Sequence, residues 1–414
     1  MPADLFISGI GVTTAIGQGQ RDFGAALLEG RHAFDVMRRP GRQSNTAQNT
    51  EQFLGAEIGE LRLPQGVPGS RADRQGRGVS FSAQVALATL EEAWGDAALA
   101  DVDPQRIGLV VGGSNFQQRD VFRTQSDYAG RESFVSPLYA LSFLDTDLGS
   151  VCAARFGIQG PCCTVGGASA SGQLAVIQAA RIVLCGEADV CVAVGALMDL
   201  SHWECRALRS LGAMGSDRFA TEPALACRPF DGDRDGFIFG EGCAAVVVER
   251  AAQVNRRGVR PYATLGGWAT VCDANRNPDP SLEGEIRAIQ LALAAARRGP
   301  EDVNYLNPHG SGSRIGDDTE VAAIRACGLE HAPINATKSI VGHCLSAAGT
   351  VEIVATVVQM RLRQLHPTRN LSNPIDPGLR WVGGSPISHA ITSALTLSVG
   401  FGGINTALIL DSCG

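Results

Sequence analysis

The stretch Thr164-Val165-Gly166-Gly167-Ala168-Ser169-Ala170-Ser171-Gly172 carries a short strand through small residues into residues 171–185, a nearly all-apolar segment that predicts a helix. Small neighbours let a chain turn sharply and present one side chain at a helix N-terminus, among free N–H donors and a partial positive charge. The same residues also suit a serine that merely caps the helix, with small neighbours for close packing. A related pattern follows later: Ser346-Ala347-Ala348-Gly349 opens a second apolar helix, predicted over residues 349–364. The pair predicts two similar halves, residues 1–255 and 256–414, joined near 250–262, where Arg256-Arg257-Gly258 reads as a turn.

Outward from these two helices, strands and helices alternate. Residues 5–12, 106–112, 189–195, 242–249, 305–307, 393–398 and 407–410 read as strands, and 80–97 and 283–297 as helices. Such alternation predicts an α/β fold with buried sheets. Residues 42–77 are polar and rich in Gly, Pro and Gln, and read as a long surface excursion.

Composition narrows the class. Apolar residues are 44% and charged residues 19% of the 414, which excludes a disordered chain. Aromatics are only 6% and glycines number 50, so the interior is expected to consist of Ala, Val, Ile and Leu. The net charge of −7, with no long Lys/Arg run, speaks against nucleic-acid binding. The cluster Arg38-Arg39-Pro40-Gly41-Arg42 reads as a solvated loop. The twelve cysteines lack metal-ligand spacing and several sit in apolar runs, as reduced thiols of a cytoplasmic protein would. Met1-Pro2-Ala3-Asp4 lacks a basic leader, and no apolar run is expected to reach the roughly eighteen residues of a membrane span.

Three further segments can carry chemistry. Asn307-Pro308-His309-Gly310-Ser311-Gly312-Ser313 follows a strand; its histidine suits a proton donor or a structural loop contact. Thr337-Lys338-Ser339-Ile340-Val341-Gly342-His343 leads into the second helix; Lys338 and His343 suit either a shared pocket or a solvated lysine beside a capping histidine. Gly400-Phe401-Gly402-Gly403-Ile404-Asn405 suits a mobile ring with a backbone N–H turned into a site, or a plain hairpin.

Taken in this order, the segments resemble the β-ketoacyl synthases of fatty-acid and polyketide assembly. The likeness spans almost the whole chain and includes Gly160-Pro161, Arg228-Pro229-Phe230-Asp231, Asp235-Gly236-Phe237, Gly240-Glu241-Gly242, Gly342-His343 and Glu352. It implies a thiolase-like five-layered αβαβα fold, a homodimer and an acyl carrier protein as partner. The substrate would ride on that partner's phosphopantetheine arm, with no metal or other cofactor. By the resemblance Ser169 falls on the nucleophilic cysteine, His309 and His343 on the catalytic histidines, and Lys338 and Glu352 on their supporting pair. Phe401 falls on the gating aromatic, and its N–H with that of Ser169 on the oxyanion hole beside Gly402. Ser311 and Ser313 stand where hydroxyls meet the pantetheine arm.

The departure is the cysteine. Cys162 and Cys163 lie upstream in the strand, expected to point into the core. The region after Gly195-Ala196 should line the acyl pocket; it reads Ser201-His202-Trp203-Glu204-Cys205-Arg206, bulky and polar, and Asn115 takes a position that is often apolar. A thiol ionises near pH ~8.5 and is readily activated, whereas a helix N-terminus moves an alcohol by only about one pKa unit. Ser169 as nucleophile therefore needs a general base. Decarboxylation of a malonyl thioester needs no nucleophile, only donors for the enolate oxygen, and two histidines could supply them. Lys338 and Glu352 are expected to orient His343. The chain thus resembles the stand-alone ketosynthase-like decarboxylases of polyketide β-branching cassettes, which turn malonyl- into acetyl-carrier protein. The alternatives are an acyltransferase or condensing enzyme with Ser169 as nucleophile, and a silent partner subunit of the chain-length-factor kind.

Overall fold

A computed structural model describes residues 5–44, 51–64 and 79–413. The core elements are β1 (Leu5–Thr14), α1 (Phe81–Asp96), β2 (Ile107–Gly112), β3 (Cys162–Val165), α2 (Ser171–Cys185), β4 (Val190–Gly195) and β5 (Gly242–Arg250) in the first half. The second half supplies β6 (Ala263–Cys272), α3 (Leu282–Ala296), β7 (Tyr305–Asn307), α4 (Arg314–Ala326), α5 (Ala348–Leu362), β8 (Ser393–Gly400) and β9 (Ile404–Ser412).

The first-half strands run in the order β3-β2-β4-β5-β1 and the second-half strands in the order β7-β8-β9-β6, with β1 and β6 joined antiparallel through Phe6/Thr264 and Ile7/Ala263. Ile334 adds a one-residue parallel bridge to Leu306 beyond β7, where β3 stands in the other half. The strand orders therefore match, position by position. Side-chain alternation sorts the core into layers. Val246 and Val248 face the central cluster with Val176 and Val354, while Ala245 and Val247 face the outer cluster with Val85 and Leu87. In the second half Leu408 and Leu410 face the centre, and Ala407 and Ile409 face Ile289 and Ile324 on α3 and α4. The result is helix, sheet, central helices, sheet, helix: the αβαβα expected.

The central layer is α2 against α5. Each begins with a 3-10 turn, Ala168–Ala170 and Leu345–Ala347, and the first residue of each turn has φ of +47°. Non-glycine residues pay for this left-handed conformation, so its occurrence at matching positions marks the two turns as the same device. The helices touch through glycine. A Cβ on Gly172 would lie 2.9 Å from Ser346 O and from Thr350 N, and one on Gly349 would lie 3.0 Å from Gln173 N. Two eighteen-residue stretches, Ala168–Cys185 and Leu345–Leu362, are apolar enough to cross a bilayer by composition, against the sequence expectation. They are these central helices, 61% and 89% buried within the protein, and their apolarity follows from contact on several sides.

Three other expectations change. The link between halves is a helix, Ala251–Arg257, closed by Gly258 at φ +67°, rather than a turn alone. The Arg38–Arg42 cluster is a solvated loop only in part: Arg38 is exposed, but Arg42 is fully buried and pairs with Asp199 and Glu241, both at 2.7 Å, and Arg39 pairs with Glu241. Of the expected surface excursion, residues 45–50 and 65–78 lie outside the described residues. Within the rest, Leu54–Ala56 is a buried strand between Phe34–Val36 and Phe239–Gly240, so this portion is core.

Gly172→Ala should destabilise the protein by ~1–3 kcal/mol through overpacking at the helix crossing, measured by urea unfolding.

Candidate active site

Both central helices start at one cavity of about 610 Å³, lined by Ser169, His309, His343, Phe401, Ser311 and Ser313 among others. The local hydrogen bonds settle which serine caps. Ser171 Oγ accepts from Gly167 N–H at 2.8 Å and donates to Ala168 O at 2.7 Å, so Ser171 stabilises the turn. Ser169 Oγ instead meets His343 Nε2 at 3.2 Å.

His343 is 3% exposed and its Nδ1 accepts the Leu345 backbone N–H at 3.1 Å. With Nδ1 occupied as an acceptor, the ring proton sits on Nε2, which donates to Ser169 Oγ. His309 is arranged alike: Lys338 Nζ, which only donates, lies 3.3 Å from His309 Nδ1, leaving Nε2 to carry the proton. The two rings meet edge to face at 5.3 Å between centroids. Phe237 packs edge-on against His343 at 5.0 Å. Burial, then the Lys338 charge, holds both imidazoles well below their ordinary pKa, with His343 a third cause for His309. Both rings are neutral N–H donors.

Lys338 is 2% exposed and is no solvated lysine. Its ammonium binds Glu352 and the His309 carbonyl. The expectation that Lys338 and Glu352 orient His343 is corrected: they hold His309, and the Leu345 N–H holds His343. Burial pushes the Glu352 carboxyl up to about 7, against the pull of Lys338.

The His309 loop rests on two carboxylates that the sequence reading missed. Glu320 accepts from His309 N–H at 2.5 Å and Gly310 N–H at 2.8 Å. Asp317 accepts from Gly312 N–H at 3.0 Å and Phe230 N–H at 2.6 Å. A signal was present: Asp317, Glu320, Val321 and Ile324 share the buried stripe of α4 at helical spacing, and acids on such a stripe call for N–H partners. Gly312, at φ +86°, also accepts from Gly236 N–H at 3.0 Å, which ties the loop to the Asp235-Gly236-Phe237 segment.

Phe401 is 42% exposed on the hairpin joining β8 to β9 and lines the cavity. A Cβ on Gly400 would lie 2.1 Å from Gly167 O, which shows how closely this hairpin abuts the Ser169 turn. Gly402, at φ +87°, shapes the hairpin and does not line the cavity. Asn115 does line it. Trp203 does not: it is 63% exposed on the helix His202–Ser210, and Leu208, Leu211 and Met198 face the cavity in its stead. Cys162 and Cys163 are exposed rather than in the core, because β3 is an edge strand paired only with β2. Neither reaches the cavity.

Two family models, the β-ketoacyl synthase N-terminal and C-terminal domains, match residues 3–254 and 262–372. The chain belongs to the β-ketoacyl synthase family. Among family members it is similar to the polyketide biosynthesis malonyl-ACP decarboxylase PksF of Bacillus subtilis, 56% identical over 99% of this chain and 98% of that one. A crystal structure of a β-ketoacyl synthase from Burkholderia phymatum superposes with a TM-score of 0.88 at 27% identity, covering both chains fully. A ketosynthase in complex with its type II polyketide acyl-carrier protein superposes at 0.85 with 25% identity, again over both full chains. In this β-ketoacyl synthase a hydroxyl stands where the resemblance places the thiol, while both histidines and the Lys338–Glu352 pair are in place.

Lys338→Met should leave Glu352 buried without a partner and cost ~3–5 kcal/mol in urea unfolding. Lys338→Met combined with Glu352→Gln should recover part of that loss.

Proposed function

We propose that this β-ketoacyl synthase decarboxylates malonyl-acyl carrier protein to acetyl-acyl carrier protein in polyketide biosynthesis. The observation that carries the reading is the tautomer pair: His309 and His343 each have Nδ1 occupied by a donor, so both present Nε2–H to one cavity. When the malonyl thioester loses CO₂, negative charge builds on the thioester oxygen. Two preorganised neutral donors at the cavity stabilise that charge, each worth ~2.7–4 kcal/mol. His343 cannot act as base towards Ser169, because the nitrogen facing Oγ already carries the proton. His309 has its proton on the same nitrogen. A serine nucleophile is therefore left without a base, which disfavours acyl transfer and condensation. A silent partner subunit would have no use for two oriented donors. The name of the Bacillus subtilis relative agrees with the decarboxylase reading.

The partner is an acyl carrier protein, whose pantetheine arm runs past Ser311 and Ser313 at the cavity wall. The reaction draws only on the chain's own donors and calls on no metal or further cofactor. A homodimer is supported by the exposed Phe134, Leu138, Leu141 and Phe143 and by the open edge of β3.

Incubation with malonyl-carrier protein, followed by intact-mass analysis of the carrier, should show loss of CO₂; an unchanged carrier would sink the proposal. His309→Ala and His343→Ala should each lower kcat by ~10²–10³-fold, and Ser169→Ala should retain substantial turnover. Neutral imidazole persists at any pH above its pKa, and both values lie below 6.5. The pH–rate profile should accordingly show no histidine inflection near 6.5 as the pH falls, only one displaced to lower pH.

A further inference from the structure

Loss of CO₂ leaves a carbanion that, with no acyl group to attack, must take a proton, and we propose that Ser169 delivers it. The inference rests on the decarboxylase reading and adds the origin of the new C–H bond. His343 Nε2 donates to Ser169 Oγ at 3.2 Å, and Nδ1 of the same ring is occupied by Leu345 N–H. Ser169 therefore uses its oxygen as acceptor towards His343, and its own O–H hydrogen points elsewhere. The turn does not claim that hydrogen, because Ser171 makes the local backbone bonds. The hydroxyl is part-buried and lines the cavity.

Geometry then brings acid and base together. An enolate oxygen held by His343 Nε2–H sits ~2.9 Å from that nitrogen. The α carbon lies two bonds from that oxygen; as the enolate oxygen takes this N–H from Ser169, the released Oγ, 3.2 Å from the same nitrogen, stands beside it in the cavity.

The C–CO₂ bond breaks and its electron pair becomes the enolate. The α carbon then takes the hydrogen of Ser169, breaking O–H and forming C–H, and the charge passes to Oγ. A thioester carbanion is a far stronger base than an alkoxide, so the transfer runs downhill. The alkoxide is met by the His343 N–H that had held the enolate oxygen and by the N-terminus of α2. Water returns a proton to Oγ and leaves as hydroxide. Overall one proton is consumed and acetyl-carrier protein is released.

Delivery by a fixed hydroxyl places the new hydrogen on one face of the enolate, and CO₂ loss precedes it, so the handedness of the methyl group reports the proton source. Malonyl-carrier protein carrying one stereospecific tritium at the α carbon, turned over in D₂O, yields a methyl group bearing H, D and T. The wild type should give one configuration in large excess. Ser169→Ala, still releasing CO₂ but protonated by solvent, should lose most of that excess, and Ser169→Thr, which restores a hydroxyl, should recover it. Equal excess in the wild type and Ser169→Ala, or a racemic wild-type product, would overturn the proposal. Release of CO₂ reports separately on the decarboxylase reading.

Discussion

The contact between the two central helices governs the rest of the molecule. Gly172 and Gly349 let α2 and α5 meet at their first turns with backbone against backbone. That closeness brings two turns, each starting at φ +47°, to one cavity. Ser169 stands on the first turn, and His343 lies just before the second. Their 3.2 Å separation is thus set by the backbone rather than by side chains reaching across a gap. Residues in such sparsely populated conformations cost of order 1–3 kcal/mol each and persist where the surroundings over-determine them. Here the surroundings are two matched sheets and helices buried on several sides.

On that scaffold one positive charge organises the site. Lys338 is buried, so its charge is little screened, and it does three things at once. It pairs with Glu352, it binds the His309 carbonyl and it occupies His309 Nδ1. Its field also disfavours a second cation on either imidazole. A neutral imidazole whose Nδ1 is occupied can only donate from Nε2. This suits an enolate oxygen and does not suit deprotonation of a hydroxyl. The identity of residue 169 matters because of this. A thiol ionises with modest help, whereas an alcohol needs a base, and the arrangement that stabilises the enolate is the one that withholds that base.

The architecture was legible in the sequence because hydrophobic period and small-residue turns are local signals. Helix α2 and strand β7 fall on the residues expected, and most other core elements differ by a few residues at their ends, while β6 and α4 have no counterpart among the elements read from the sequence. The cavity-lining Ser169, His309 and His343 were legible through order and spacing. What escaped depends on which elements meet in space. Arg42 reads as a loop arginine until Asp199 and Glu241, distant in sequence, close around it. Cys162 and Cys163 read as core residues because their strand is apolar, yet that strand lies at the sheet's edge. Distance along the chain from Gly195 places Trp203 at the pocket. The helix His202–Ser210 instead turns Leu208 inward and Trp203 outward, as five residues of helical rotation require. The partner of Lys338 follows the same logic: His343 is near in sequence and His309 is near in space.

The carboxylates of α4 extend this logic. Glu320 and Asp317 spend their lone pairs on four backbone N–H groups around the His309 loop, so a flexible Gly/Ser segment acquires the rigidity of the helix behind it. Electrostatic catalysis needs donors that do not reorganise as charge develops. A loop histidine meets that requirement only if its main chain is pinned as well as its ring. Lys338 pins the ring at Nδ1, and Glu320 pins the main chain at the histidine's own N–H. For His343 the Leu345 N–H holds the ring, and the main chain is held by a bond from its N–H to Ile238 O at 2.7 Å. Each donor is thus fixed at two points, by different chemistry for the two rings, and both rings line one cavity.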